Sequence, residues 1–138
     1  MKRAILILAS IAFITMAATT KIPPIPNDEI NTSNTTKYKA CIEACNTCAL
    51  YCKYCETIYT KDKTANMARC IQLCKECVAI CTATGQLIML DSANVVNICT
   101  ECAKICSKCA TECEKFTTKP CAECANACHK AAKLCNDI

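Results

Sequence analysis

Tryptophan is absent, glycine occurs once, at Gly85, and histidine once, at His129. Aromatic residues make up only 4% of the 138-residue chain, and its four prolines are Pro23, Pro24, Pro26 and Pro120. One glycine leaves no Gly-rich loop to cradle phosphate. One histidine without an obvious partner leaves no Ser/His/Asp set, so no catalytic constellation is visible and the reading is non-enzymatic. The scarcity of chain breakers between residues 38 and 136 points to an all-α body rather than strands joined by turns. Neither sign of charge dominates. Lys, Glu and Asp are interspersed from residue 37 onward, and the formal charge of +4 shrinks once Lys2 and Arg3 are set aside as part of a leader. That is a solvated surface, and it argues against nucleic acid as a partner.

What the chain has in abundance is cysteine: eighteen residues in four clusters whose gaps alternate between three and four. The first is Cys41, Cys45, Cys48, Cys52 and Cys55, the second Cys70, Cys74, Cys77 and Cys81. The third is Cys99, Cys102, Cys106, Cys109 and Cys113, the fourth Cys121, Cys124, Cys128 and Cys135. Ala131 stands at the one place within the fourth cluster where the rhythm calls for a thiol. Steps of three and four put every cysteine of a cluster on one stripe of one α-helix. Sulfur replaces the Leu, Ile and Val of an ordinary bundle core.

The N-terminus reads as an export signal over residues 1–18. Met1-Lys2-Arg3 is a short basic region, Ala4 to Ala18 an apolar run, and Thr15-Met16-Ala17 or Met16-Ala17-Ala18 offers small residues for cleavage. The run is shorter than the roughly 20 residues a bilayer span needs, so no stable membrane insertion is expected after cleavage. Residues 19–37, Pro-rich and then Asn/Thr/Ser-rich, read as a flexible tether, and residues 38–138 as a cysteine-rich four-helix bundle.

Four helices are expected. The first runs from about Lys37 to Thr60, and Thr64 caps the second, which continues past Gly85 to about Met89. Asp91 or Ser92 caps the third, which ends near Lys115, and Pro120 opens the fourth. Such short connections favour an antiparallel, up-down-up-down bundle. With cysteine at the a and d heptad positions, the flanking positions hold Ile42, Ala44, Ala49, Ile71, Leu73, Val78, Ile80, Ile98, Ala103, Ile105, Ala110, Ala125, Ala127, Ala132 and Leu134. These can seal the seams between helices while the sulfurs face the axis. Lys53, Lys75, Glu76, Glu101, Lys104, Lys108 and Glu123 fall off the stripe, toward water.

Three chemistries fit such a stripe. Cysteine as a plain small hydrophobe makes a poor core, because it forfeits hydrocarbon burial. Disulfides suit an exported chain with an even cysteine count, giving a stapled secreted interaction protein, although nine bridges along one axis exceed what such a fold requires. Metal is the third. Thiolates are soft ligands for Cu(I), zinc and iron–sulfur clusters. Residues three or four apart have Cβ atoms about 5–6 Å apart on a helix, a gap that two metal–sulfur bonds of about 2.3 Å can bridge with one near-linear ion. A continuous ladder suits Cu(I) better than isolated tetrahedral zinc sites, with a zinc or mixed-metal thiolate buffer the lesser possibility. Iron–sulfur motifs are not seen.

Runs such as Cys41-Ile42-Glu43-Ala44-Cys45-Asn46-Thr47-Cys48, Cys99-Thr100-Glu101-Cys102-Ala103-Lys104-Ile105-Cys106 and Cys121-Ala122-Glu123-Cys124-Ala125-Asn126-Ala127-Cys128 resemble the copper storage protein family. The resemblance spans about residues 38–136. It implies a self-associated four-helix bundle whose inward cysteines hold many Cu(I) ions, exchanged with copper donors and acceptors. Family members occur in exported and cytosolic forms, and the leader places this chain among the exported, periplasmic or secreted ones. All eighteen cysteines carry over as candidate ligands. His129 follows Cys128 directly and so points off the stripe, to the surface. Met67, three residues before Cys70, lies on the stripe, and its thioether is a candidate ligand near Tyr59 and Phe116, with a hydrophobic plug as the alternative. Tyr38, Ile88 and Val95 continue the other stripes and are expected to close the opposite end.

Overall fold

In a computed structural model, residues 36, 38–62 and 65–138 are described. The export signal, nearly all of the tether and the Thr64 cap lie outside them. Helix α1 spans Lys39–Asp62, a 3-10 turn follows at Ala65–Met67, and α2 continues at Ala68–Met89. Helices α3, Val95–Cys113, and α4, Lys119–Asn136, complete the body. Each helix packs on two neighbours: α1 on α2 and α4, α3 on α2 and α4. Short connections between consecutive elements make this an antiparallel four-helix square, as the sequence led us to expect. No helix among the described residues is long and apolar enough to cross a membrane.

Helix ends depart from expectation for identifiable reasons. Helix α1 runs past Thr60 to Asp62, and the basic Lys61 in its last turn suits the negative end of the helix dipole. Asp91 does not open α3; it ends α2. It adopts a left-handed φ of 51°, which Asp tolerates better than most residues. Its N–H bonds to the Ile88 carbonyl at 3.1 Å, and the Ser92 N–H reaches back to the Leu87 carbonyl at 3.0 Å. That is a Schellman-type stop built without glycine. Ser92 uses its hydroxyl on the Asn94 N–H at 3.2 Å, holding the intervening turn, so α3 begins only at Val95. It ends at Cys113, two residues short of Lys115. Pro120 occupies the first turn of α4, where its missing N–H costs nothing.

All the seam residues named from the heptad are buried or half-buried against the core. The off-stripe charges face water, with Glu76 and Glu123 half-buried. Ion pairs such as Lys104–Glu101, both side chains largely exposed, add little. Leu73, 2% exposed on the inner face of α2, is among the largest hydrocarbons the core holds. Leu73→Ala should lower the stability of the metal-free bundle by about 2–4 kcal/mol. Leu50→Ala, at a residue 68% exposed, should change it by no more than about 0.5 kcal/mol. Urea unfolding followed by helical circular dichroism reads both, and equal losses would contradict the seam assignment.

Candidate metal centre

All eighteen cysteines lie at 3% exposure or less, as free thiols on the bundle axis. Neighbouring sulfurs approach across helices: Cys52–Cys124 at 3.4 Å, Cys48–Cys128 at 3.5 Å, Cys81–Cys106 at 3.5 Å and Cys70–Cys113 at 3.4 Å. They also approach along one helix, Cys48–Cys52 and Cys102–Cys106 each at 3.9 Å. The antiparallel register sorts them into rungs. Cys55, Cys70, Cys113 and Cys121 form one end, followed by Cys52, Cys74, Cys109 and Cys124, then by Cys48, Cys77, Cys106 and Cys128. The next two rungs hold three thiols each: Cys45, Cys81 and Cys102 beside Ala131, then Cys41, Cys99 and Cys135.

The last rung exposes what the cysteine pattern hid. Thr84, three residues beyond Cys81, continues the α2 stripe by one step, as Cys41 follows Cys45 and Cys99 follows Cys102 toward the same end, and is fully buried. Its hydroxyl donates to the Ile80 carbonyl at 2.8 Å. It was legible as the next step of the 3-4 rhythm, but only once the rhythm was followed past the last sulfur.

The ends are closed by different means. Met67, 3% exposed, and Tyr59, 7% exposed, cover the Cys55 end together with half-buried Phe116. The Tyr59 hydroxyl donates to Thr118 Oγ1, so the residue at the N-cap position of α4 braces the lid, its side chain making no cap bond to its own helix. At the other end Ile88 and Val95 are buried while Tyr38 and Ile138 are half-buried, matching the expected closure. His129 is exposed as expected, yet it does have a partner: its Nε2 lies 2.6 Å from Glu114 Oε1 across α3 and α4.

Sulfur groupings converge tightly enough for metal. Cys48, Cys52, Cys77 and Cys128 lie within 4.8 Å of one another, as do Cys52, Cys109, Cys124 and Cys128, and Cys55, Cys74, Cys113 and Cys124. Nearer the Tyr38 end the groups are of three: Cys45, Cys102 and Cys135, and Cys41, Cys99 and Cys135. Cys52, Cys124 and Cys128 link the four-sulfur groups to one another, and Cys135 links the two groups of three. The two sets share no sulfur; Cys106, 3.9 Å from both Cys48 and Cys102, spans the step between them. The four-sulfur groups also correct one expectation. The ladder does bring four thiols to a point, which a tetrahedral ion could use.

Protons are unevenly held along this axis. Hydrogen bonds from Cys135 and Cys45 hold Cys41 down at about 4, and Cys102 and Cys128 hold Cys106 down at about 2. Cys106 draws Cys102 upward, but Cys135, Cys45 and Cys81 outweigh it and leave it at about 4. Burial pushes Cys99 up to about 12. Cys74 and Cys81 are also raised, each by neighbouring thiols first, Cys109 and Cys102 respectively. Sulfurs that accept S–H bonds are thus the readiest thiolates, interleaved with donors that keep their protons.

Comparisons with known proteins agree with this geometry. The family model described as copper storage protein matches residues 34–138. A cysteine-rich protein of Bacillus subtilis, YhjQ, is 37% identical over 78 residues, covering 56% of this chain and 72% of that protein. The metal-free copper storage protein Csp3 of Bacillus subtilis superposes with a TM-score of 0.68 at 37% identity, over 72% of this chain and 95% of its own. Cu(I)-bound BsCsp3 gives 0.69 at the same identity, over 72% and 94%. The copper storage protein Ccsp of Streptomyces lividans, loaded with 10 copper equivalents, shares the fold with a TM-score of 0.69 at 24% identity, over 83% and 89%. With its family model matched across the entire bundle and four helices closed around a column of thiols, the chain belongs to the copper storage protein family.

Proposed function

We propose that this chain is a non-catalytic store for Cu(I), holding many ions on the eighteen cysteine sulfurs, with Met67 an added soft ligand at the Tyr59 end. One observation carries the reading: shared sulfurs link the groups within each half of the axis, and Cys106, 3.5 Å from Cys81 and 3.9 Å from Cys48 and Cys102, joins the two halves, so the axis is a continuous ladder and not a set of separate sites. Thiolate softness selects Cu(I), which accepts two or three such ligands and bridges readily between them. An ion taken up by one group can pass to the next by exchanging one shared sulfur at a time. Each step needs a free thiolate, so loading displaces protons, and binding to the folded bundle alone stabilises it by mass action. Membership of the family and the likeness to Cu(I)-bound BsCsp3 support this reading.

Export to the periplasm or outside the cell, and self-association, are part of the same proposal; the first rests on the basic and apolar leader of residues 1–18. Small-molecule or protein donors and acceptors of copper would be its partners. A zinc buffer is the second reading, favoured by the four-sulfur groups. Because those groups share Cys52, Cys124 and Cys128, filling them all with tetrahedral ions would demand bridging throughout, which suits Cu(I) better.

Serine replacement of Cys48, Cys74, Cys106 and Cys128 together should lower the copper capacity measured against a Cu(I) chelator while helical circular dichroism is retained; undiminished capacity would move the sites elsewhere. Under competition with chelators of known strength, Cu(I) should displace Zn(II) from the ladder, and the reverse order would favour the zinc reading. Loading in weak buffer near neutral pH should acidify the solution, since thiols such as Cys99, held near 12, must give up protons. The sign follows: acid competes with metal, so copper affinity should fall with pH and most steeply on approaching 4, where Cys41 and Cys102 also protonate.

A further inference from the structure

The sulfur column is not uniform, and its irregularity is confined to one end. Two stripe positions lack a thiol, Ala131 on α4 and Thr84 on α2, and both are fully buried. They fall in adjacent rungs, on helices diagonal to one another in the square. Neither offers a soft ligand: alanine has no heteroatom, and the Thr84 hydroxyl, which donates its proton to the Ile80 carbonyl, is a hard oxygen ill-matched to Cu(I). The groups named above fit this pattern: Cys41, Cys99 and Cys135, and Cys45, Cys102 and Cys135, near this end are of three, and those farther along are of four.

Access differs in the same direction. A cavity of about 190 Å³ lies against this end, lined by Tyr38, Ala40, Leu134, Asp137, Ile138 and the ladder cysteine Cys41. Cys41 and Cys135, 3.5 Å apart, are the two least buried thiols in the chain at 3% and 2%. The opposite end lies beneath Met67 and the hydrogen-bonded Tyr59–Thr118 lid.

We propose that Thr84 and Ala131, by withholding one sulfur from each of two rungs, make the Tyr38 end the exchange site of the ladder. Cu(I) bound there has one fewer neighbouring thiolate to bridge to, so it is surrendered to an acceptor sooner than ions in the four-thiol rungs. The two positions act through the sulfurs beside them and touch no metal themselves. The inference rests on the Cu(I) storage reading and adds to it a direction, with exchange at one end and retention at the other.

The test uses the full chain loaded with Cu(I) and mixed with excess chromogenic Cu(I) chelator, following release over time. The parent should release in two phases. Thr84→Cys and Ala131→Cys should each slow the fast phase about tenfold, or about 1.4 kcal/mol on the exchange barrier, and raise the copper held per chain. Phe116→Ala, at the far end, should leave the fast phase unchanged. Folded cysteine variants that release copper at the parent rate would overturn the proposal, as would acceleration by Phe116→Ala. Should Ala131→Cys fail to fold, Thr84→Cys decides alone, since it introduces a side chain no larger than the one removed. A parent chain that retains no copper at all would instead sink the storage reading, so the two failures are distinguishable.

Discussion

Sulfur–sulfur proximity along a single axis is the constraint on which the rest of this structure depends. Cysteine is short, so thiols from four helices meet at 3.4–3.9 Å only if every helix aims its stripe inward and the helices pack closely. Close packing in turn requires small residues at the seams, and Ala44, Ala103, Ala110, Ala125 and Ala132 supply them. The same shortness excludes bulky neighbours from the interior, which explains why Leu73 and Ile88 are the only large aliphatic side chains fully enclosed among the described residues.

Such a core is weak as hydrocarbon. A thiol buries less apolar surface than leucine, so the metal-free bundle leans on its seam residues and on the regular backbone bonding of four long helices. A ligand that binds only the assembled column then has a large effect on the folded population. Stability and cargo are coupled through the same side chains, and that is the physical sense in which the core is the working part of the molecule.

Much of this was readable from residue order. The 3-4 alternation identified the helices, their inner faces and the seam residues, because a periodicity carried by eighteen residues survives any local ambiguity. The ends were less legible. Asp91 reads as a helix opener by residue type, but its left-handed backbone makes it a terminator, a choice set by the two carbonyls it and Ser92 satisfy. Thr84 interrupts the chemistry of the stripe without interrupting its period, so the sulfur pattern alone does not mark it. Glu114 lies 15 residues from His129, a pairing that only the packing of α3 on α4 reveals. Tyr59 reaching Thr118 across 59 residues is of the same kind.

Function enters through sharing. Isolated thiolate sites would saturate one by one, whereas in the proposed store groups linked by Cys52, Cys124, Cys128 and Cys135, and joined through Cys106, would let a bound ion move without leaving sulfur. X-ray absorption spectroscopy of the Cu(I)-loaded chain tests that claim most directly. A first shell of sulfur alone, accompanied by copper–copper scattering from ions on bridging thiolates, is the predicted result. Nitrogen or oxygen in the first shell, with no neighbouring copper, would contradict it.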